Sequence, residues 1–302
     1  MLEFQTILCP VDGSVFSERA LRHAAALCRM YQAELVAVAV RPVGMPPALW
    51  LSQESAVPQE EPGGRERAEE SLRTFVSSAA GGSVGRTLVT DGRIVPEILR
   101  VAREVSADLL VMGTHGLGGF NRLILGSVTE RVLRQAPCPV LTIPRLAPGS
   151  PDTAHEGFRR VLCGADRSDA SRRALDHAAS LARRSSGRLL LVHVLEDISA
   201  EEPRFASHFN MEECWRAIAP EIRSTYEAMV PEDVRREVAL EVQVPFGKGA
   251  RELLRAAHDF GADLIVLGTS GWDAPCGATT QRVVREAECP VLTVPPSRNG
   301  AH

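Results

Sequence analysis

The chain repeats itself, and this repeat limits its possible folds more than any other feature. Residues 7–40 (ILCPVDGSVFSERALRHAAALCRMYQAELVAVAV) align without a gap with residues 161–194 (VLCGADRSDASRRALDHAASLARRSSGRLLLVHV), and nearly half of the aligned positions are identical. The ends also repeat, because GSVTERVLRQAPCPVLTIP at 126–144 aligns with GATTQRVVREAECPVLTVP at 277–295. Such self-similarity indicates the duplication of one domain. We predict domains at residues 1–147 and 155–302, with a linker in the Pro- and Gly-rich stretch 145–158.

Within each copy, short apolar runs alternate with helical patterns. The first copy predicts strands at 6–11, 35–40, 86–90, 109–112 and 140–143, and helices at 16–31, 67–78, 95–105 and after Gly126. The second copy predicts strands at 161–165, 189–194, 238–244, 264–268 and 291–294. Continuous apolar strands are typical of a sheet covered on both faces, and alternation with helices predicts parallel βαβ units. The fold class is therefore α/β.

Two segments depart from this alternation. Residues 44–64 and 196–220 each follow the second strand of a copy, and their sequences are unrelated. Loops longer than about 12–15 residues in a compact domain are either functional or mobile. We therefore expect each segment to be either a flap over a ligand or a surface excursion.

Composition excludes several classes of partner. The 302 residues are 44% apolar and 24% charged, and the formal net charge is −4. This balance gives no global attraction to nucleic acid or to anionic lipid, so any anion site must be local. Neither a signal peptide nor an apolar run near the ~20 residues of a membrane span is visible, which predicts a cytoplasmic protein. The seven cysteines lack CxxC spacing, which favours buried reduced thiols over zinc or redox chemistry.

A glycine-rich loop is the clearest candidate site. Gly113 and Gly116 follow the strand at 109–112, and nine residues later Gly126 and Ser127 open a helix. Glycines between a strand and a helix can expose several backbone N–H groups to an anion at the positive end of the helix dipole. The Ser127 hydroxyl and the N–H groups of Val128 and Thr129 could then bind a phosphate. The alternative role for Ser127 is a helix N-cap.

Asp12 follows the first strand, where open parallel sheets bind their ligands. Its carboxylate could accept a hydrogen bond from a ribose hydroxyl or an adenine amino group. Alternatively, Asp12 could cap the first helix together with Ser14 and Ser17. The patterns GxxxxGK[ST] and GxGxxG are absent, which argues against Walker-type and Rossmann dinucleotide enzymes.

Asp12, the glycine motif and the terminal CPVLTIP together resemble the ATP-binding branch of the universal stress protein family. This resemblance implies two doubly wound domains, each with a five-stranded parallel sheet of order 3-2-1-4-5, and pairing of residues 140–143 with 291–294. It also implies that ATP, with or without Mg²⁺, is the ligand of a nucleotide-dependent stress or regulatory module. The implied adenine contacts are Pro10, Val11, Asp12, Val40 and Met112. The implied phosphate contacts are Gly113, Gly116, Gly126, Ser127, Val128 and Thr129.

The second copy departs from the motif. Gly268 and Gly271 are followed by only five residues before Gly277, and Ala278 replaces Ser127. A shorter loop and the loss of one hydroxyl donor predict that this copy binds ATP weakly, not at all, or holds a different small ligand. Trp272 and Cys276 in the short loop could close its pocket.

Two function classes stay open, a nucleotide-dependent module and a slow ATPase. Hydrolysis requires a positioned base and a charge clamp beside the γ-phosphate, for which His115 and Arg122 are the candidates. No carboxylate pair typical of an Mg²⁺ site is visible, so we assign no catalytic residue and expect weak hydrolysis at most. His23 and His177 occupy equivalent helix positions and are predicted to be structural rather than metal ligands. A regulatory protein partner and a homodimer of tandem chains also stay open.

Overall fold

The computed structural model describes residues 3–42, 64–81, 85–115, 125–145, 157–196, 211–269 and 277–296. The first domain contains β1 (Thr6–Pro10), α1 (Val15–Tyr31), β2 (Glu34–Arg41), α2 (Gly64–Ala79), β3 (Arg86–Asp91), α3 (Ile94–Glu104), β4 (Leu109–Gly113), α4 (Ser127–Gln135) and β5 (Val140–Ile143). The second contains β6 (Arg160–Gly164), α5 (Asp169–Arg184), β7 (Arg188–Val192), β8 (Leu195–Glu196), α6 (Met211–Met229), α7 (Glu232–Glu237), β9 (Ala239–Gln243), β10 (Phe246–Gly247), α8 (Gly249–Phe260), β11 (Leu264–Gly268), α9 (Ala278–Glu286) and β12 (Val291–Val294).

Ten strands form one sheet of order β3-β2-β1-β4-β5-β12-β11-β6-β7-β9. Read inward from each outer strand, each half has the predicted 3-2-1-4-5 order, and all strand pairs within a half are parallel. At the centre, β5 and β12 pair antiparallel, with Leu141 opposite Leu292. The Thr142 hydroxyl donates to Val291 O at 3.0 Å and the Thr293 hydroxyl donates to Val140 O at 3.2 Å. The fold class is therefore confirmed, and the two half-sheets are continuous.

Two apolar layers hold the helices against this sheet. In β4, Leu109 and Val111 belong to the layer beneath α1, α2, α5 and α6, whereas Leu110 and Met112 belong to the opposite layer with α3, α4, α8 and α9. Successive side chains of a strand point to opposite faces. Burial on both faces explains why the strands are continuous apolar runs rather than alternating ones.

One prediction from the sequence is wrong in part. Residues 196–220 were expected to be a loop, but α6 begins at Met211 and continues through Pro220 to Met229. Because a proline usually ends a helix, the sequence pattern did not predict that α6 continues through Pro220. Tyr226 on α6 and Val230 just after it are buried in the core, so tertiary packing stabilises the helix. The other long segment, 44–64, lies outside the described residues except for Gly64, as do residues 197–210.

Two buried histidines of the first layer lie against backbone carbonyls of their own helices. His23 and His177 are buried, and their Nδ1 atoms lie 3.0 Å from Arg19 O and 2.7 Å from Arg173 O, one helical turn earlier. Burial lowers the pKa of His177, which favours the neutral ring.

Five cysteines of the part that the structure describes are free thiols. Cys9, Cys28, Cys138 and Cys163 are buried, and Cys289 is partly exposed. Burial raises the pKa of Cys28 and that of Cys289 to about 12, so both thiols stay protonated and unreactive near neutral pH. No helix among the described residues has the length and apolar character needed to cross a membrane.

Candidate functional site

The predicted adenine contacts come together at the carboxyl ends of three neighbouring strands. Strand β1 lies between β2 and β4, and the chain continues to β2 on one side and later to β4 on the other. This is the topological switch point at which doubly wound sheets bind ligands. Pro10 ends β1, and Val40 and Met112 lie near the ends of the flanking strands. Val11 N donates to Val38 O at 2.8 Å, which fixes the chain as it leaves the sheet.

Asp12 supports the cap of α1 but is not the cap itself. Ser14 is the N-cap, and its hydroxyl accepts from Ser17 N at 3.1 Å. Asp12 Oδ1 accepts from the Ser14 backbone at 3.1 Å and from the Ser14 hydroxyl at 2.6 Å. The second domain repeats these bonds, with Asp166 Oδ1 2.8 Å from Ser168 N and 2.5 Å from Ser168 Oγ. Because both domains have the network, it belongs to the fold and does not by itself indicate a ligand.

Two glycines allow the end of β4 to approach its neighbours closely. A Cβ atom on Gly113 would lie 3.1 Å from Phe16 O in the first turn of α1, and one on Gly126 would lie 3.1 Å from Thr114 O. Gly126 N donates to Thr114 O at 2.9 Å, and the Thr129 hydroxyl donates to Gly113 O at 2.9 Å. These bonds hold the start of α4 against the strand end.

The start of α4 presents backbone donors. Gly126 is the N-cap and no side-chain cap bond is formed, so the capping role considered for Ser127 is wrong. Ser127 is the first helical residue and is exposed. The first N–H groups of a helix have no partner within the helix and favour anions. Thr129 is buried and its hydroxyl is already bonded to Gly113, so only its backbone N–H suits a ligand.

Three side chains beside this helix start were not grouped by sequence reasoning. His115 is buried, its Nδ1 lies 3.0 Å from the Thr114 hydroxyl, and its ring centroid lies 5.8 Å from that of Phe16. The guanidinium carbon of Arg145 lies 5.7 Å from the Phe16 ring centroid. Arg145 follows β5, which pairs with β4 up to Gly113. The sequence placed Arg145 in the linker, so only the strand pairing reveals a cation here.

Two predicted contacts, Gly116 and Arg122, lie outside the described residues, so the structure neither groups them with this site nor separates them from it. The same applies to Gly271, Trp272 and Cys276 of the second domain.

The equivalent edge of the second domain differs in charge. Ala278 opens α9 after the N-cap Gly277, which also lacks a side-chain cap bond. In the repeat alignment, Pro296 replaces Arg145 and Asp169 replaces Val15. Position by position, the second domain lacks the Ser127 hydroxyl and the Arg145 cation and has Asp169 in the first turn of α5, but it also has Arg167 and Arg172 in place of Gly13 and Glu18.

A polar pair also distinguishes the second domain. His193 aligns with Ala39, and its Nδ1 lies 2.8 Å from Ala165 O and 2.9 Å from the Tyr226 hydroxyl oxygen. The two rings are stacked, with centroids 4.7 Å apart. Burial raises the pKa of Tyr226, and Asp166 adds to that shift. The first domain has Ala39 in place of His193 and therefore cannot form this pair.

Comparisons with known proteins agree with the duplicated fold. The model of the Universal stress protein family matches residues 3–144 and 157–295. A universal stress protein of Mycolicibacterium smegmatis is 27% identical over 300 residues, which cover 96% of this chain and 97% of that protein. Universal stress protein MJ0531 of Methanocaldococcus jannaschii is 35% identical over 141 residues, or 46% of this chain and 82% of that protein.

The fold is also that of a solved structure. A universal stress protein from Archaeoglobus fulgidus superposes with a TM-score of 0.67 at 19% identity, covering 97% of each chain. Both halves match the family model and the repeated sheets have the order that the family resemblance implied. The chain therefore belongs to the universal stress protein family, as a tandem of two family domains.

Proposed function

We propose that the first domain binds ATP and that the protein acts as a nucleotide-dependent stress or regulatory module. The observation that carries this proposal is the start of α4, where Ser127 is exposed beside N–H groups that no described side chain caps. Hydrogen bonds from Gly126 and Thr129 hold this donor group against the end of β4, one strand from Asp12.

In the proposed pose, the ligand lies across the carboxyl ends of β2, β1 and β4. The adenine packs against Pro10, Val11, Val40 and Met112, and the Asp12 carboxylate accepts from the ribose or the base. The triphosphate lies along Gly113 and reaches the start of α4, and Mg²⁺ accompanies the phosphates when it is bound. The proposed phosphate contacts are Gly113, Gly116, Arg122, Gly126, Ser127, Val128 and Thr129.

Arg145 extends this proposal beyond the sequence motif. Its guanidinium lies on Phe16, next to His115 at the end of β4. A cation beside a triphosphate strengthens binding through charge-assisted hydrogen bonds. The second domain has Pro296 at this position and therefore lacks this cation. We therefore propose one ATP per chain, with the second domain empty or occupied by a different small ligand.

The test is the nucleotide content of the purified protein and of two matched variants. After denaturation, the released nucleotide is identified and counted, and ATP, ADP and AMP are titrated into nucleotide-free protein by calorimetry. We expect one ATP per chain. Gly126→Asp should abolish binding because it places a carboxylate among the phosphate donors, whereas Gly277→Asp in the second domain should leave the stoichiometry unchanged.

Three results would contradict the proposal. These are a nucleotide-free protein that ATP does not stabilise, two equivalent ATP sites per chain, or equal loss of binding in the two variants. Release of inorganic phosphate from saturating ATP separates a module from a slow ATPase, because the module holds ATP without measurable turnover.

A further inference from the structure

The ten-stranded sheet ends in two edge strands, β3 and β9, and each lacks an outer strand among the described residues. Their equivalence follows from register, because Arg86 lies opposite Val36 in β2 and Glu241 lies opposite Leu190 in β7, and Val36 and Leu190 are aligned in the repeat. Counting along both strands makes Leu88 equivalent to Gln243 and Val89 equivalent to Val244.

Beside β9, a side chain of another element occupies one outward-facing carbonyl. The Trp215 indole N–H on α6 donates to Val244 O at 2.9 Å. Covering an edge in this way protects it from pairing with another strand.

The equivalent carbonyl of β3 is held less closely. It belongs to Val89, and Arg65 donates to it at 3.4 Å, the outer limit of a hydrogen bond. Among the described residues, this carbonyl of β3 is therefore more open to pairing than its counterpart beside β9.

A groove of about 380 Å³ runs beside β3. Its lining consists of the aliphatic residues Leu88, Val89, Val101 and Val105, the arginines Arg65, Arg86 and Arg100, and Thr90, Asp91 and Glu104. This volume falls in the range of ligand clefts, roughly 300–1,000 Å³.

One arginine of the groove has no ion pair among the described residues. Asp91 lies 2.6 Å from Arg41, and Glu104 lies 2.5 Å from Arg100, so both carboxylates are neutralised locally. Arg86 forms no ion pair with any described residue and is exposed. The unpaired charge of the groove therefore lies at the first residue of β3.

Hydrogen bonds show which backbone groups of β3 face outward. Gly92 N donates to Arg41 O of β2, whereas Val89 O accepts from Arg65 on the opposite side. Backbone groups alternate in direction along a strand, so the N–H and C=O groups of Thr87, Val89 and Asp91 face outward. These are the groups that an added strand would bind.

We propose that the outer edge of β3 is the docking site for an extended segment of a partner protein, which adds to the sheet as a further strand. On the face toward α3, this segment carries an acidic side chain beside Arg86 and an aliphatic side chain over Leu88. Backbone bonds supply affinity in this recognition mode, and alternate side chains supply specificity. A second copy of β3 fits less well, because antiparallel registers that match the outward-facing groups place Leu88, Thr90 or Gly92 opposite Arg86 and offer it no carboxylate there.

The test uses the full chain and two peptide probes. The acidic probe is the blocked peptide Thr-Glu-Thr-Val-Thr-Val-Thr, and the basic probe replaces its glutamate with lysine. Binding is measured by NMR titration, and backbone hydrogen exchange is followed residue by residue. We expect the acidic probe to slow exchange at Thr87 and Val89 and to leave Leu88, which already faces β2, unchanged.

Charge reversal provides the matched control. Arg86→Glu should lower the affinity for the acidic probe by roughly fivefold and raise the affinity for the basic probe, because opposite charges attract and like charges repel across neighbouring strands. Glu241→Arg at the equivalent position of β9 should leave both affinities unchanged. The protein's mass in solution should stay that of a single copy when a probe is bound.

Several results would overturn the proposal. They are no binding of either probe at millimolar concentration, exchange protection at β9 instead of β3, or an Arg86→Glu variant that keeps the preference for the acidic probe. Displacement of the acidic probe by inorganic phosphate, without protection of the β3 amides, would identify the groove as an anion site instead. ATP binding does not enter this test, so its outcome is independent of the proposed function.

Discussion

At the scale of single residues, two side chains in the first turn of α4 have different expected roles. We expect Ser127 to act in ligand binding and Thr129 to act in the stability of the fold. Ser127 is exposed at the start of α4. We expect Ser127→Ala to weaken ATP binding about tenfold or more, because a hydrogen bond to a charged group contributes roughly 1.5–3 kcal/mol. Calorimetric titration gives the affinity, and the urea unfolding midpoint without nucleotide should stay unchanged. An unaltered affinity would remove Ser127 from the phosphate site.

Thr129 should behave in the opposite way. Its buried hydroxyl donates to Gly113 O, so Thr129→Val leaves that carbonyl without its donor and should lower the free energy of unfolding by about 1–2 kcal/mol. Thr280→Val in the second domain should cost less, because the equivalent bond to Gly268 O is 3.4 Å long. Urea denaturation of both variants measures the difference, and equal costs would contradict it.

Sequence reasoning found the site residues that carry a local pattern and missed those that meet only through the sheet. Asp12, Gly113 and Gly126 stand at predicted element ends, and the structure places them at one edge. The distinction between Asp12 and Ser14 as cap of α1 depends on hydrogen bonds that spacing alone does not define. Arg145 has no local signal, because its approach to Phe16 depends on the pairing of β5 with β4.

At the scale of elements, the strand that precedes each glycine motif ends close to the first turn of a helix, and this explains why Gly113 and Gly268 are glycines. A Cβ atom on Gly268 would lie 2.6 Å from the backbone carbon of Ala170 in α5, whereas one on Gly113 would lie 3.1 Å from Phe16 O in α1. Overpacking costs about 1–3 kcal/mol. We expect Gly268→Ala to lie at the upper end of this range and Gly113→Ala at the lower end.

Thermal unfolding of the two glycine variants measures this order. If Gly113→Ala proved the more destabilising, the contact with α1 would be tighter than the contact with α5, and the prediction would fail.

The strands themselves were predictable because burial on both faces makes them continuous apolar runs. Helix α6 was not, because Pro220 interrupts its pattern and its stability depends on the distant contacts of Tyr226.

At the scale of the whole molecule, the two domains share one sheet, and this predicts how the chain responds to cutting. Strands β5 and β12 pair over three residue pairs, and two buried threonine hydroxyls add bonds across the junction. We expect the halves to stay together after a protease site placed in residues 146–156 is cleaved. Gel filtration after cleavage should show one particle of unchanged size that retains bound ATP, whereas separation into halves would contradict this.

The same junction gives the molecule two opposite poles. Because β5 and β12 are antiparallel, the carboxyl ends of the first five strands point one way and those of the second five point the other. The pole of the first domain carries the proposed nucleotide, and the pole of the second carries the His193–Tyr226 pair. Ligands at the two poles would lie at opposite ends of the strands. A signal between them would therefore have to pass through the shared sheet or through the helices packed on it.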